Sequence, residues 1–300
     1  MGGRVQVEID GRELSLSNLD KILYPSAGFS KADVIDYYRR IAPTMLPHLA
    51  GRPPTLVRAP NGPDGERFFE KRCPPHHPDW VTTETVVAGG GHQGCMIEEA
   101  PALVWLANLA ALEIHTHQWT VADPWHPTAL VIDLDPGPLA TVLDCARVAL
   151  ELREMLDTFD LDVVVKTSGG KGLHLSVPLN TGAADDEETK RFARALGQVL
   201  ESRDPKRVTV DMAKEKRTQR VFVDWSQNDA HKTTVCAYSL RIRERPTVST
   251  PVAWAEVAAA LDAGDESALT FETAAVLERV ERLGDLYAHT LTVHQELPAL

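Results

Sequence analysis

The stretch "ALVIDLDPG", residues 129–137, limits the possible folds more than any other segment. An apolar run rich in branched side chains reads as a buried β-strand. Within a strand, side chains at i and i+2 share a face, about 6.5–7 Å apart. Asp133 and Asp135 therefore point the same way, while Ile132 and Leu134 face the core. Two neighbouring carboxylates repel each other unless a cation lies between them, and hard cations prefer carboxylate oxygens. A strand end whose acids simply meet solvent would look the same. A third acid, Asp224 in "RVFVDW", favours the cation: alternation puts Phe222 and Asp224 on one face and Val221 and Val223 on the other. Three carboxylates at neighbouring strand ends could hold two ions. Such a pair, about 3.5–4 Å apart, can stabilise the attacking and leaving oxygens of a phosphoryl displacement.

The segment "VVVKTSGGKGLHLSVPL" (163–179) reads as strand, glycine-rich turn, strand. Glycines let backbone N–H groups approach phosphate oxygens. It is not a Walker A loop, because the G-x-x-x-x-G-K-[ST] spacing is absent and no helix follows. Ser168 can donate to a phosphate, Lys171 sits in the turn, and His174 alternates with Leu173 and Leu175, away from the apolar face. Lys232, Arg241 and Arg243 follow Asp224 and would suit a triphosphate.

Elsewhere, strands are expected at 5–9, 54–60, 67–72 and 233–242, and a hairpin joins "TETVVAG" to "GCMIEE". Helices are expected over 31–45, 101–112, 139–158, 185–201, 252–262 and 272–285. Ser30 caps the first, with Asp33 completing an approximate capping box, and Pro47 falls beyond its end. His115 then follows a helix. The fold class is α+β, a mixed or antiparallel sheet with helices packed against it. Phe68 and Phe69 alternate in a strand, so one should be core and the other exposed.

The chain has 300 residues, 43% hydrophobic and 25% charged, with a net charge of −12. That sum argues against a nucleic-acid partner, but its distribution weakens the objection. Residues 251–300 hold nine acids and two bases, and basic residues cluster at 39–72 and 206–220. No apolar run is long enough to span a bilayer, and no signal peptide is evident. The four cysteines (Cys73, Cys95, Cys145, Cys236) form no CxxC pair and read as reduced cytosolic thiols. Cys73-x-x-His76 with His92-x-x-Cys95 is a weaker alternative, a split zinc site.

The ordered set "NLDKILYP", "FFEKR", "HTHQW", "VIDLDPG", "KTSGGKGLHLSVPL" and "FVDWSQN" resembles the polymerase domain of bacterial ligase D, in the archaeo-eukaryotic primase superfamily. The resemblance covers about residues 5–290. It implies a primase-type catalytic core with an RRM-like sheet beside a second mixed α/β module. The single domain, 1–300, would comprise modules at 1–120, 121–250 and 251–300, with a 5′-phosphate pocket in the first. The implied activity is template-dependent addition of nucleotides, ribonucleotides preferred, at gaps and broken DNA ends in nonhomologous end joining. Asp133, Asp135 and Asp224 match the metal-binding acids, served by Mn2+ or Mg2+. His115, Ser168, Lys171, His174, Lys232 and Arg241 match the nucleotide site, Asn18, Lys21 and Lys31 the 5′-phosphate pocket, and Phe68 and Phe69 the template contacts. Implied partners are gapped duplex DNA with a 5′-phosphate, NTP or dNTP, the Ku end-binding protein and a DNA ligase, in the cytoplasm at the bacterial nucleoid. Neighbouring alternatives are a free-standing primase-polymerase, a non-catalytic end-binding module and a metal-dependent phosphohydrolase.

Overall fold

The structure is a computed structural model that describes residues 3–88 and 90–299. In chain order, strands β1 to β9 are Arg4–Ile9, Arg12–Ser17, Ile22–Tyr24, Phe29–Ser30, Thr55–Arg58, Phe68–Glu70, Thr83–Val86, His92–Cys95 and Ala111–Thr116. Strands β10 to β16 are Ala129–Pro136, Val164–Thr167, Leu173–Pro178, Val208–Thr209, Val221–Asp224, Thr234–Val235 and Pro251–Val252. Helices α1 to α7 are Lys31–Leu49, Ala100–Asn108, Val142–Asp157, Asp186–Arg203, Trp254–Ala263, Thr273–Leu283 and His289–Thr292.

Two compact units form, each discontinuous in sequence. The first is Met1–His117, Val235–Ser249 and Glu272–Gly284; the second is Gln118–Thr234, Thr250–Phe271 and Asp285–Leu300. The sequence reading placed its modules in chain order instead. The chain returns to the first unit because Cys236 N donates to Ile114 O and Thr247 bridges Glu272.

In the first unit a four-stranded sheet runs β15-β9-β5-β6. Helix α1 begins at the expected cap: Ser30 Oγ accepts from Asp33 N at 3.2 Å, and the Asp33 carboxylate accepts from Ser30 N at 2.7 Å. It continues to Leu49 with Pro43 and Pro47 inside it, a correction to the expected end before Pro47. Met45, His48 and Leu49 are buried, so the packed face carries the helix past its prolines. Helix α2 stops at Asn108, short of the expected 112, and Ala110 turns the chain at φ +57°. His115 is therefore a mid-strand residue of β9, opposite Thr55, and not at a helix end.

The second unit is built on a six-stranded sheet, order β13-β14-β10-β12-β11-β16. All neighbours are antiparallel except the parallel pair β13–β14. Period-two alternation divides its strands cleanly. Ile132, Leu134, Leu173, Leu175, Val221 and Val223 are buried in one core with Ala149 and Leu152 of α3 and Phe192 and Leu196 of α4. Each of these side chains larger than alanine contributes about 1.5–3 kcal/mol on full burial. The alternate residues of β10, β12 and β14, on the other face, carry the candidate site. Among the described residues, no helix is long and apolar enough to cross a membrane.

Candidate metal and nucleotide site

Strand register assembles the acids. Asp133 lies directly opposite Asp224 on β14 and opposite His174 on β12. Lys166 on β11 lies opposite His174, so one transverse row reads Lys166–His174–Asp133–Asp224 across four strands. Asp133, Asp135 and Asp224 each offer an oxygen within 4.8 Å of the others. Asp133 is buried, Asp224 half-buried and Asp135 exposed.

The Asp224 carboxylate is pinned. Its Oδ1 accepts from Ser226 N at 3.0 Å and from Ser226 Oγ, and its Oδ2 accepts from Gln227 Nε2 at 3.0 Å. Lys232 Nζ donates to Ser226 Oγ at 2.6 Å, placing a cation one hydroxyl away from the acids. An all-oxygen donor set of this density fits a hard divalent cation such as Mn2+ or Mg2+.

The Gly-rich turn is laid onto the end of β10. Ser168 Oγ accepts from Gly170 N and Gly172 N, both at 3.1 Å, and Ser168 N donates to Gly172 O at 2.9 Å. A Cβ on Gly172 would meet Leu134 O at 2.1 Å, so only glycine allows this approach. The Pro-Gly that ends β10 has the same logic. Gly137 N donates to Arg220 O at 2.8 Å, and a Cβ there would meet Arg217 O at 1.8 Å. Lys171 is exposed at the turn.

The other candidates lie in the first unit. Glu113, on the same strand as His115, is a residue that sequence reasoning missed. Its Oε2 is 2.9 Å from His115 Nε2, and its Oε1 is 3.1 Å from Arg241 Nε and accepts from Ile242 N at 2.8 Å. Burial alone would raise the Glu113 carboxyl. The His115 hydrogen bond, the Arg241 charge and the Ile242 amide outweigh burial and lower it to about 2. The signal was in "EIH": i and i+2 share a face only if the segment is a strand. His117 is buried.

Asn18 adopts φ +54° in a turn closed by Lys21 N to Asn18 O at 3.1 Å. Lys31 N donates to Lys21 O at 2.8 Å, which ties that turn to the start of α1. Lys31 Nζ donates to Ser17 O at 2.6 Å, and Lys21 Nζ to Asn61 Oδ1 at 2.7 Å. Burial, then the charges of Lys21 and Arg58, lower the Lys31 ammonium to about 8. Two further cations close enough to disfavour the charge on Lys31 make a setting for an anion.

Phe68 and Phe69 correct an expectation: both are exposed, at 42% and 73%. Strand β6 is three residues long at the sheet edge, too short for alternation to bury one of them. Cys73 and Cys95 are joined in a disulfide, which overturns both the reduced reading of these two and the zinc alternative. The hairpin β7–β8 and the bond from Cys73 N to Gln93 O at 2.8 Å bring them together. Among the described residues His76 and His92 join no metal-competent cluster. Cys145 and Cys236 are buried and lie outside the disulfide.

The profile of the LigD primase-polymerase domain matches residues 30–287. The chain belongs to this family. The multifunctional nonhomologous end joining protein LigD of Mycolicibacterium smegmatis is 41% identical over 276 residues, covering 91% of this chain and 35% of that protein. The LigD of Mycobacterium tuberculosis H37Rv, a DNA repair protein, is 42% identical over 284 residues, covering 92% and 36%. The LigD-type domain thus spans about a third of the length of these relatives. The polymerase domain of M. tuberculosis ligase D, solved in complex with DNA, superposes with a TM-score of 0.85 at 38% identity, covering 94% of this chain and 99% of that one. LigD-type domains are nucleotidyltransferases of bacterial DNA repair, and the fold class expected from the motifs is the one found.

Proposed function

We propose that residues 1–300 act as one primase-polymerase domain that extends a primer 3′-hydroxyl, template-directed, at gaps and broken DNA ends in nonhomologous end joining. Ribonucleotides are the preferred substrates, and Ku and a DNA ligase the working partners at the bacterial nucleoid. The observation that carries this reading is the convergence of Asp133, Asp135 and Asp224 within 4.8 Å beside the Ser168–Gly172 turn. A binding module gains nothing from clustered acids next to phosphate.

When bound, two divalent ions, Mn2+ by preference, supply activation of the 3′-hydroxyl and charge neutralisation on the leaving pyrophosphate. Asp133, Asp135 and Asp224 would hold them, with Asp224 fixed by Ser226 and Gln227. Lys232 and the turn with Lys171 present cations and N–H groups to the triphosphate. Ser168, whose oxygen closes the turn, would donate to a phosphate oxygen. His115 and Arg241, both held by Glu113, serve the nucleotide's sugar and phosphates. Asn18, Lys21 and Lys31 receive the 5′-phosphate across a gap, and Phe68 and Phe69 stack on template bases.

The test is primer extension on a gapped duplex with or without a 5′-phosphate, with Mn2+ or Mg2+ and with ribo- or deoxynucleotides. Extension should need the acids and rise with the 5′-phosphate. Extension retained by Asp133→Ala would remove the catalytic assignment, and synthesis on an unprimed single strand would favour a primase.

A further inference from the structure

We propose that Lys166 is a positioning residue that fixes the tautomer of His174 and so decides what that ring presents to the acid cluster. Lys166 is 2% exposed and His174 5%. A buried ammonium is costly unless it donates hydrogen bonds, and Lys166 Nζ lies 3.1 Å from His174 Nδ1. An ammonium has donors only, so Nδ1 must accept. The ring proton of the neutral imidazole then sits on Nε2. That nitrogen faces Asp133 Oδ1 at an ion-pair distance of 3.3 Å, where a carboxylate is compatible with the proton that the Lys166 contact places there.

The row is set by backbone pairing. Lys166 faces His174 and His174 faces Asp133 across adjacent strands, while the residues beside them, Val165, Leu173, Leu175, Ile132 and Leu134, lie in the core. Register thus holds the three groups in line. In the Nε2–H form His174 offers the acid cluster a donor and no lone pair. It can hydrogen-bond a phosphate oxygen, and it cannot ligate a cation through Nε2. The other tautomer would add a nitrogen ligand beside three carboxylates and favour softer divalent metals such as Zn2+ over Mn2+. Lys166 therefore guards both nucleotide binding and the all-oxygen character of the metal site. The tautomer stands on geometry alone; its use in nucleotide binding rests on the function proposed above.

The experiment is long-range 1H–15N correlation on histidine-labelled, metal-free protein at pH 8.5, with the His174 signals assigned by their loss in His174→Gln. Wild-type protein should show the Nε2–H pattern at His174, and Lys166→Arg, which keeps a donor, should retain it. Lys166→Met should show Nδ1–H or a mixture, with unchanged signals from histidines far from the row as the check on folding. Primer extension should then give a KM for nucleotide raised about tenfold in Lys166→Met with kcat changed less, largely restored in Lys166→Arg. A wild-type Nδ1–H pattern overturns the proposal even if no variant folds, and so does a folded Lys166→Met with the wild-type tautomer. Wild-type protein with the expected tautomer but no extension activity would instead count against the proposed function.

Discussion

Glu113 holds two side chains at once, and its chemistry makes a pH signature. Its carboxyl falls from the ordinary 4.5 to about 2 because, against burial, the His115 and Arg241 contacts favour the charged form. A folded value below the unfolded one means stability that is fully present above about pH 4.5 and lost as pH falls toward 2. The shift corresponds to about 3 kcal/mol. Glu113→Gln should therefore lose a similar amount at pH 7 and show a flatter stability curve between pH 4.5 and 2, measured by urea unfolding across that range. Equal stability of the two proteins at pH 7 would refute the role. Phe69 makes the opposite case. At 73% exposure it packs on little, so Phe69→Ala should change stability by no more than about 0.5 kcal/mol. Base stacking on an aromatic is worth about 1–3 kcal/mol, so affinity for gapped duplex should fall about tenfold by fluorescence anisotropy. Unchanged affinity would remove Phe69 from the DNA surface.

At the scale of elements, the Ser168–Gly172 turn against β10 makes the site stiff. Gly172→Ala would drive a methyl into Leu134 O, and backbone cannot yield as a side-chain tip can. The substitution should cost about 1–3 kcal/mol and raise KM for nucleotide, read by thermal unfolding and steady-state extension; a variant as stable and active as wild type would show the turn to be slack. The strands of this region were legible in advance because period two is unambiguous where one face is apolar: Ile132 and Leu134 against Asp133 and Asp135, Val221 and Val223 against Asp224. The helix–strand break before His115 was not legible. The apolar run continues through it without glycine or proline, and Ala110 takes the left-handed conformation that glycine usually announces. Glu113 was missed with it, since its alliance with His115 exists only in a strand. The Cys73–Cys95 bond had no local spacing to betray it; the two half-cystines are 22 residues apart and meet through a hairpin. Lys166 was hidden for a related reason, because its partner comes from strand register and not from its own neighbours in sequence.

At the scale of the whole molecule, the acid cluster links metal to stability with two opposite signs. Without an ion, three carboxylates within 4.8 Å repel one another, so Asp135→Asn should leave the metal-free protein as stable as wild type or slightly more so. With an ion, only the folded chain offers the assembled site, and binding at 100 times Kd adds about 2.7 kcal/mol. Manganese should raise the wild-type Tm by roughly 5–10 °C and raise that of Asp135→Asn much less, so the order of the two proteins reverses on adding metal. The chain's net charge of −12 provides the competing explanation, diffuse condensation of cations, which salt screens. Diffuse binding would shift both proteins equally and fade between 0.05 and about 0.3 M salt, whereas a coordinated ion would keep the difference between them. Scanning calorimetry of both proteins, with and without Mn2+ at two salt concentrations, separates these outcomes. Equal shifts would mean that the three acids share a face without sharing an ion.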